Sequence, residues 1–423
     1  MTTGTRRGPT KESSEPLRGT VDAWLSGFAA ETEIGRLLAR TSKEQQEQGY
    51  GHTLREIAQQ PVTWLETASA MAADRTRLDG VLDEAGVHSR KGTVLLTGSG
   101  SSVYAGECIA LPLQHALGVP VQAVPAGLLL THPESSLPPA GPYLVVSFAR
   151  SGNSPESRAV LDSLLAGDKR GRHLVITCNR AGALATASAG NPRVKAVVLD
   201  RKTEDQSLVM TSSFTNMALA GAFLGATRTP EAYEHRVESL ACAAAEVLRN
   251  YGDGLAGAAR SGFRSAVYLG SGCRGGSAHE AGLKMLEMTG GRVFTLTESF
   301  LGLRHGPMSA VHEDTLVVAF LSSDETVRAY ETDLLGELDR KELGARKLIV
   351  GSGVPRTLAT RSEDVIVECG EDLRDADLVV LDVLVGQLLG FFRCRHEGLR
   401  PDSPSAGGVI NRVVESFAIH RRR

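Results

Sequence analysis

The chain has 423 residues, enough for two domains of ordinary size or one large pseudo-symmetric core. Its make-up, 42% apolar and 22% charged with a formal charge of -3, predicts a soluble globular protein and gives no electrostatic case for nucleic acid. Six scattered cysteines without a Cys-x-x-Cys pair, and a polar N-terminus without an apolar signal core, predict a reduced, cytoplasmic protein.

Residues 1–19 are rich in Thr, Ser, Gly and charge and are expected to form a disordered tail. Residues 20–90 read as N-terminal helices over 21–42, 53–59 and 62–85, with a break at Pro61. A first α/β domain is expected over 91–228. It opens with an apolar strand (93–97), the loop Gly98-Ser99-Gly100-Ser101-Ser102, a helix to about Leu117 and a short strand over 121–124. The run Leu144 to Ala149 is a buried strand that breaks into Arg150-Ser151-Gly152-Asn153-Ser154, and Pro155-Glu156-Ser157 then opens a helix. Strands over 173–177 and 195–199 complete the domain. Strands alternating with helices predict a parallel sheet covered on both faces.

An Ala-rich helical connector spans 229–260, and a second domain spans 261–395. Its strands are expected at 266–269, 292–295, 315–320, 347–350 and 364–367, with a long helix ending at Met288. The apolar stretch 378–392 carries Asp382 and Gln387 and is too short to span a bilayer, so it reads as a buried helix. Residues 396–423 are left as a C-terminal tail, which the family resemblance described below places at the active site. Gly98 and Gly270 are 172 residues apart, as are Ser147 and Ala319, so the chain reads as two tandem copies of one unit.

The copies differ where chemistry would sit. The 150–154 loop joins a strand end to a helix N-terminus, where free N–H groups and the helix dipole favour an anion, phosphate above all. Ser151 and Ser154 add hydroxyls there and Arg150 adds charge. At the same offset the second copy reads Ser323-Asp324-Glu325-Thr326, whose carboxylates would repel phosphate. The second copy instead offers Glu280, Lys284 and Glu287 on one helix face, followed by His305 in a polar loop before Gly306-Pro307. A carboxylate, a lysine and a histidine near a phosphate cradle suit proton transfer between adjacent carbons of a sugar phosphate. No metal-ligand spacing appears and Gly98-Ser99-Gly100 lacks the third glycine of a dinucleotide fingerprint, so no cofactor is expected.

Taken together, Thr97 to Ser102, Ser147 to Ser157 and Leu303-Arg304-His305-Gly306-Pro307 resemble the double-SIS sugar-phosphate isomerase family. The closer resemblance is to its AgaS branch, the tagatose-6-phosphate ketose/aldose isomerases and galactosamine-6-phosphate deaminases. Met210-Thr211-Ser212-Ser213, Glu287-Met288-Thr289, the 401–406 stretch and Asn411-Arg412-Val413-Val414 carry that part, and the likeness covers roughly residues 55–420. It implies two tandem SIS-type, flavodoxin-like parallel-sheet sandwiches with helices on both faces. It also implies that Ser101, Ser102, Ser151, Asn153, Ser154 and Thr211 hold the phosphate and nearby hydroxyls, with Ser99, Arg150, Ser212 and Asn411 as further contacts. Glu287 would be the C1–C2 acid/base, Lys284 its neighbour, and His305 the ring-opening group reaching in from a partner subunit. A homodimer, or a dimer of dimers with shared sites, follows.

The chain departs from the glutamine-dependent glucosamine-6-phosphate synthase in two places. No cysteine follows Met1 and no room is left for a glutaminase domain; and Asn411 or Arg412 stands where the synthase has a sugar-binding lysine. The expected activity is isomerisation or deamination of a C6-phosphorylated amino sugar without metal, nucleic acid or membrane. The competing reading is a non-catalytic sugar-phosphate sensor, against which Glu287, Lys284 and His305 speak together.

Overall fold

The computed structural model describes residues 14–187, 189–370, 372–405, 407–415 and 417–420. It holds ten strands in two five-stranded sheets. The first comprises β1 (Thr93–Gly98), β2 (Val121–Pro125), β3 (Tyr143–Ala149), β4 (Gly171–Thr177) and β5 (Val194–Val198) in the order β2-β1-β3-β4-β5. The second comprises β6 (Ser265–Gly270), β7 (Phe294–Glu298), β8 (Thr315–Phe320), β9 (Arg346–Gly351) and β10 (Val365–Glu368) in the order β10-β9-β8-β6-β7. Read from the other edge, that is the same topology.

The register repeats as well. Thr97 pairs with Ser147 in the first sheet, and Leu269 pairs with Ala319 in the second, each residue shifted by the same 172 positions. All pairings are parallel, and the central strands β3 and β8 are buried at every residue. Continuous apolar runs of this kind belong to strands covered on both faces, which is why they show no polar alternation.

One large core joins the two halves, while smaller clusters fill the outer face of each sheet. At its centre the Ser101–Leu117 helix meets its counterpart Arg274–Met288, and the Asp375–His396 helix packs on the latter. The close crossing needs Gly276: a Cβ there would lie 2.6 Å from the main-chain nitrogen of Cys108. The Asp375–His396 helix is buried nearly all round. Its polar residues are matched rather than exposed. Asp382 pairs with the buried Arg274, and Gln387 accepts from Gln60 at 2.7 Å and donates to the Thr211 carbonyl at 3.2 Å. Among the described residues no helix is long and apolar enough to cross a membrane.

The N-terminal region differs from expectation. The helix expected over 21–42 is three pieces, Val21–Ser26, Glu33–Leu38 and the start of Ser42–Gln48, because Thr20, Thr32 and Thr41 each cap a new helix with their side chains. The helix expected over 62–85 is likewise divided at Asp74. Pro61 lies in the first turn of Gln60–Ala73, where its missing N–H has no partner to lose. Most of the expected tail (1–13) lies outside the described residues, but from Ser14 the chain is packed: Leu17 is buried and Arg18 pairs with Glu238. The connector is two helices, Pro230–Asn250 and Gly252–Ala259, both contributing to the core. A helix over Ser212–Ala222, absent from the sequence-based expectation, packs against Gln60–Ala73 and Ser101–Leu117.

Candidate active site

The two halves meet where the Arg274–Met288 helix packs on the Ser101–Leu117 helix and reaches the loop after β1. Lys284 Nζ, fully buried, donates to Ser101 Oγ at 3.1 Å and to Glu287 Oε2 at 2.5 Å. Glu280 Oε1 lies 3.3 Å away on its other side. The i,i+3 and i,i+4 spacings seen in the sequence thus become a carboxylate–ammonium–carboxylate row, and one chain alone brings it to the first half's serine loop. Glu280 is inaccessible to solvent, whereas the Glu287 side chain is 23% exposed. Burial pushes the Glu280 carboxyl up to about 7, against the pull of Lys284. Burial opposes the charge on Lys284, but Glu280 and Glu287 outweigh it and hold its ammonium above the usual range.

The 150–154 loop carries the other expected contacts of the first half. Gly152 takes φ +66°, which turns the chain sharply between β3 and the Pro155–Gly167 helix. Ser151 Oγ accepts from Asn153 N at 3.3 Å, and Asn153 Oδ1 accepts from Ala183 N at 3.0 Å. Ser154 precedes the helix yet makes no capping bond, and its hydroxyl is buried without a partner. The first N–H groups of this helix are therefore uncapped by any side chain. Ser102 Oγ contacts Met210 Sδ at 3.9 Å, and Ser99 Oγ donates to Glu156, closing the loop's outer side.

Three other expected contacts belong to one buried hydrogen-bond network. Arg150 is 7% exposed. It donates to the carbonyls of Ser207 (3.3 Å), Leu208 (3.0 Å) and Arg412 (2.5 Å). Thr211 N and Oγ1 bond Asp205 at 2.7 and 3.0 Å, and Ser212 Oγ donates to the Glu56 carbonyl at 2.6 Å. The hydroxyls of Thr211 and Ser212 are thus engaged with protein. Glu56, buried and beside Asp205, is pushed up to about 8 by burial first and by that neighbour second, while accepting from Gln206 N and Ser207 N. Sequence reading missed Glu56 and Asp205; the Glu204-Asp205 pair ahead of Thr211-Ser212-Ser213 was the available signal, since Asp205 also binds Ser213 N at 3.0 Å.

Asn411 is exposed and donates to Glu415 at 3.3 Å. His305 is exposed as well, and among the described residues its ring makes no hydrogen bond or ion pair. It does not join Lys284, Glu287 and Ser101 within this chain. No group of His, Cys, Asp or Glu residues able to hold a metal occurs among the described residues.

This chain is similar to D-galactosamine-6-phosphate deaminase AgaS of Escherichia coli, with 34% identity over 369 residues, 87% of this chain and 95% of that protein. A Streptomyces coelicolor protein provisionally named as the same deaminase is 39% identical over 376 residues, again 87% and 95% of the two chains. The crystal structure of tagatose-6-phosphate ketose/aldose isomerase from Escherichia coli matches with a TM-score of 0.78 and 31% identity, covering 87% of this chain and 96% of that one. No protein-family model matches the chain.

Proposed function

The chain belongs to the AgaS family of double-SIS sugar-phosphate isomerases and deaminases, and from that premise we propose that it deaminates and isomerises D-galactosamine 6-phosphate. It is an enzyme of amino-sugar-phosphate isomerisation or deamination; the choice of sugar and the assignment of roles are our reading. The observation that carries the reading is Lys284 Nζ bridging Glu287 and Ser101, which sets a proton acceptor beside a serine loop.

In the proposed sequence the phosphate sits against the 151–154 loop and the open helix N-terminus, where it gains charge-assisted bonds. Glu287 removes the C2 proton of the open-chain amino aldose and returns a proton at C1. Lys284 steadies the charge that builds on the enolamine between these steps. The resulting C2 imine adds water and expels ammonia, leaving the 2-keto sugar phosphate. With a 2-hydroxy aldose the same proton shift ends at the ketose and no ammonia leaves. Nothing favours the non-catalytic sensor. The free, buried state of all six cysteines fits a cytoplasmic setting.

Incubating the purified protein with galactosamine 6-phosphate and with glucosamine 6-phosphate tests the reading. Ammonia and ketose phosphate released together from the galacto sugar are expected. Preference for the gluco sugar would overturn the choice of sugar, and ketose formation only from 2-hydroxy aldoses would leave an isomerase alone.

We further propose that His305 opens the sugar ring in the crevice of a second copy, as its exposed, unpartnered ring and the family resemblance suggest. Mixing inactive His305→Ala with inactive Glu287→Gln protein, with subunit exchange, should then restore part of the activity, since one hybrid site carries both good residues. Exchange confirmed by mass without recovery would overturn it.

A further inference from the structure

Arg274 and Asp375 have no place in the mechanism above, and they meet where the second half repeats the first half's loops. The loops after β1 and β6 share one conformation. Gly100 takes φ +56° and Gly272, 172 residues on, takes φ +58°. A Cβ on Gly98 would lie 2.7 Å from the Ser102 carbonyl carbon, and one on Gly270 would lie 2.6 Å from that of Arg274. Arg274 therefore stands in the second half where Ser102 stands in the first. In the loops after β3 and β8 the exchange runs the other way, with Arg150 in the first half and Ser322 in the second. The two arginines also differ in what they face: Arg150 donates to carbonyl oxygens, whereas Arg274 meets two carboxylates.

Arg274 is fully buried at the start of the helix that carries Lys284 and Glu287. Its Nε and Nη2 donate to Asp382 at 2.8 and 2.5 Å, and Nη1 and Nη2 donate to the carbonyls of Leu321 and Val350. Nη1 also lies 3.8 Å from Asp375 Oδ1. Asp375 opens the Asp375–His396 helix, yet its carboxylate serves a distant loop. Oδ1 accepts from Ser323 N at 2.6 Å, and Oδ2 accepts from Ser322 Oγ at 2.5 Å, 52 and 53 residues back along the chain. Asp375 N donates in return to Ser323 Oγ at 3.0 Å. Ser323 is the counterpart of Ser151. A main-chain N–H, a hydroxyl and a guanidinium around one carboxylate are the donors of an anion site.

We infer that the second half is itself an anion site whose permanent ligand is the Asp375 carboxylate, with Arg274 as its countercharge. The parallel with a phosphate in the first half rests on the reading given above; the contacts of Asp375 do not. Ser322 N and Thr326 N are taken by Glu331 and Asp324, which leaves Ser323 N, Ser322 Oγ and Arg274 to one small carboxylate. By filling the site, Asp375 joins the start of its own helix to the start of the helix that carries Glu287. Its side chain is 26% exposed, so a small anion from solvent can reach the same place once the carboxylate is removed.

Formate is the group that Asp375→Ala takes away, so chemical rescue tests the inference. Asp375→Ala should melt about 2 °C or more higher in about 0.2 M formate than in chloride of the same ionic strength. This gain is counted beyond any formate effect on the wild type and on Asp375→Asn, in which the place stays filled. A crystal of Asp375→Ala grown in formate should show the ion on Ser323 N and Ser322 Oγ. No extra gain over the wild type would overturn the inference, as would formate bound elsewhere. If Asp375→Ala does not fold in either salt, Asp375→Asn carries the test, because it keeps the shape and loses the charge. It should melt about 2 °C or more below the wild type; equal melting would overturn the inference. None of these readouts uses substrate. A wild type that turns over no amino-sugar phosphate would therefore fail the functional reading and leave this test intact.

Discussion

The loops after β3 and β8 occupy the same place in the repeat and end in opposite states. After β8, Ser322 N donates to Glu331 at 2.7 Å and Ser323 N to Asp375 at 2.6 Å. Thr326 N and Val327 N donate to the Asp324 cap at 2.9 and 3.0 Å. Four of the main-chain N–H groups here donate to carboxylates of the protein itself, and Asp324 N donates to Ser322 Oγ at 3.1 Å. After β3 no carboxylate does this: the helix start is uncapped and Ser154 Oγ has no partner. An anion site is thus made by leaving N–H groups unclaimed at a helix start. The half whose helix start is capped carries the helix with Lys284 and Glu287, so on the proposed reading one copy binds while the other reacts.

That division predicts its largest effect at Glu287. Glu287→Gln keeps the volume and removes the proton acceptor, so turnover should fall by about 10²–10⁴-fold with substrate binding retained. Persistent solvent-deuterium exchange at C2 in this variant would assign the base elsewhere and break the division. Binding should fail from the other side. Ser151→Ala/Ser154→Ala should weaken inorganic phosphate by about 1–3 kcal/mol per lost contact, whereas Ser323→Ala/Thr326→Ala should leave the Kd unchanged. Phosphate seen at Ser323–Thr326 in a soaked crystal would reverse the assignment of the halves.

The repeat itself was legible because parallel strands covered on both faces write themselves as apolar runs, and two runs kept one offset through to the strand register. Lys284 and Glu287 were legible because three-residue spacing fixes a shared helix face. Arg150 was read as a charge for the phosphate because a cation next to a Ser-Gly loop looks alike in either role. Its bond to a carbonyl 262 residues later in the chain is one that no local pattern encodes. The same holds for Glu56, whose partners lie 150 and 151 residues away. The N-terminal helices differ for the opposite reason: Thr20, Thr32 and Thr41 are visible in the sequence as caps, and their capping bonds outweigh the apolar period that runs through them.

A pH effect should also separate the halves. His173 in β4 pairs with Val145, and Lys347 in β9 pairs with Val317, the same two places in the repeat. Lys347 is ion-paired with Asp339 at 2.6 Å, but both ring nitrogens of His173 are buried without a partner. Burial, helped by Arg193 and Arg172, pushes the His173 imidazole down to about 4. A base held below its unfolded value of about 6.5 contributes its full stability above that pH and loses it as pH falls toward 4. On the order of 3 kcal/mol should disappear over that window. His173→Leu should flatten the loss in urea unfolding measured from pH 7 to 4; an unaltered slope would place the titrating group elsewhere.

The smallest effect is the sharpest test of why one helix start is open and the other shut. Asp324 accepts two main-chain N–H groups at the head of the Glu325–Arg340 helix, so it caps the helix and occupies donors an anion would otherwise use. Ser154 stands at the equivalent entry to Pro155–Gly167 and holds neither. Asp324→Ala should therefore cost about 1 kcal/mol of stability, the usual value of a lost N-cap, with no change in turnover. Ser154→Ala should leave the urea midpoint where it is, because no bond is broken and a buried orphan hydroxyl is removed, while phosphate binds more weakly. The two substitutions should thus move opposite observables. Equal losses of stability would mean that Ser154 caps its helix in solution after all, and the contrast between the loops would reduce to their charges.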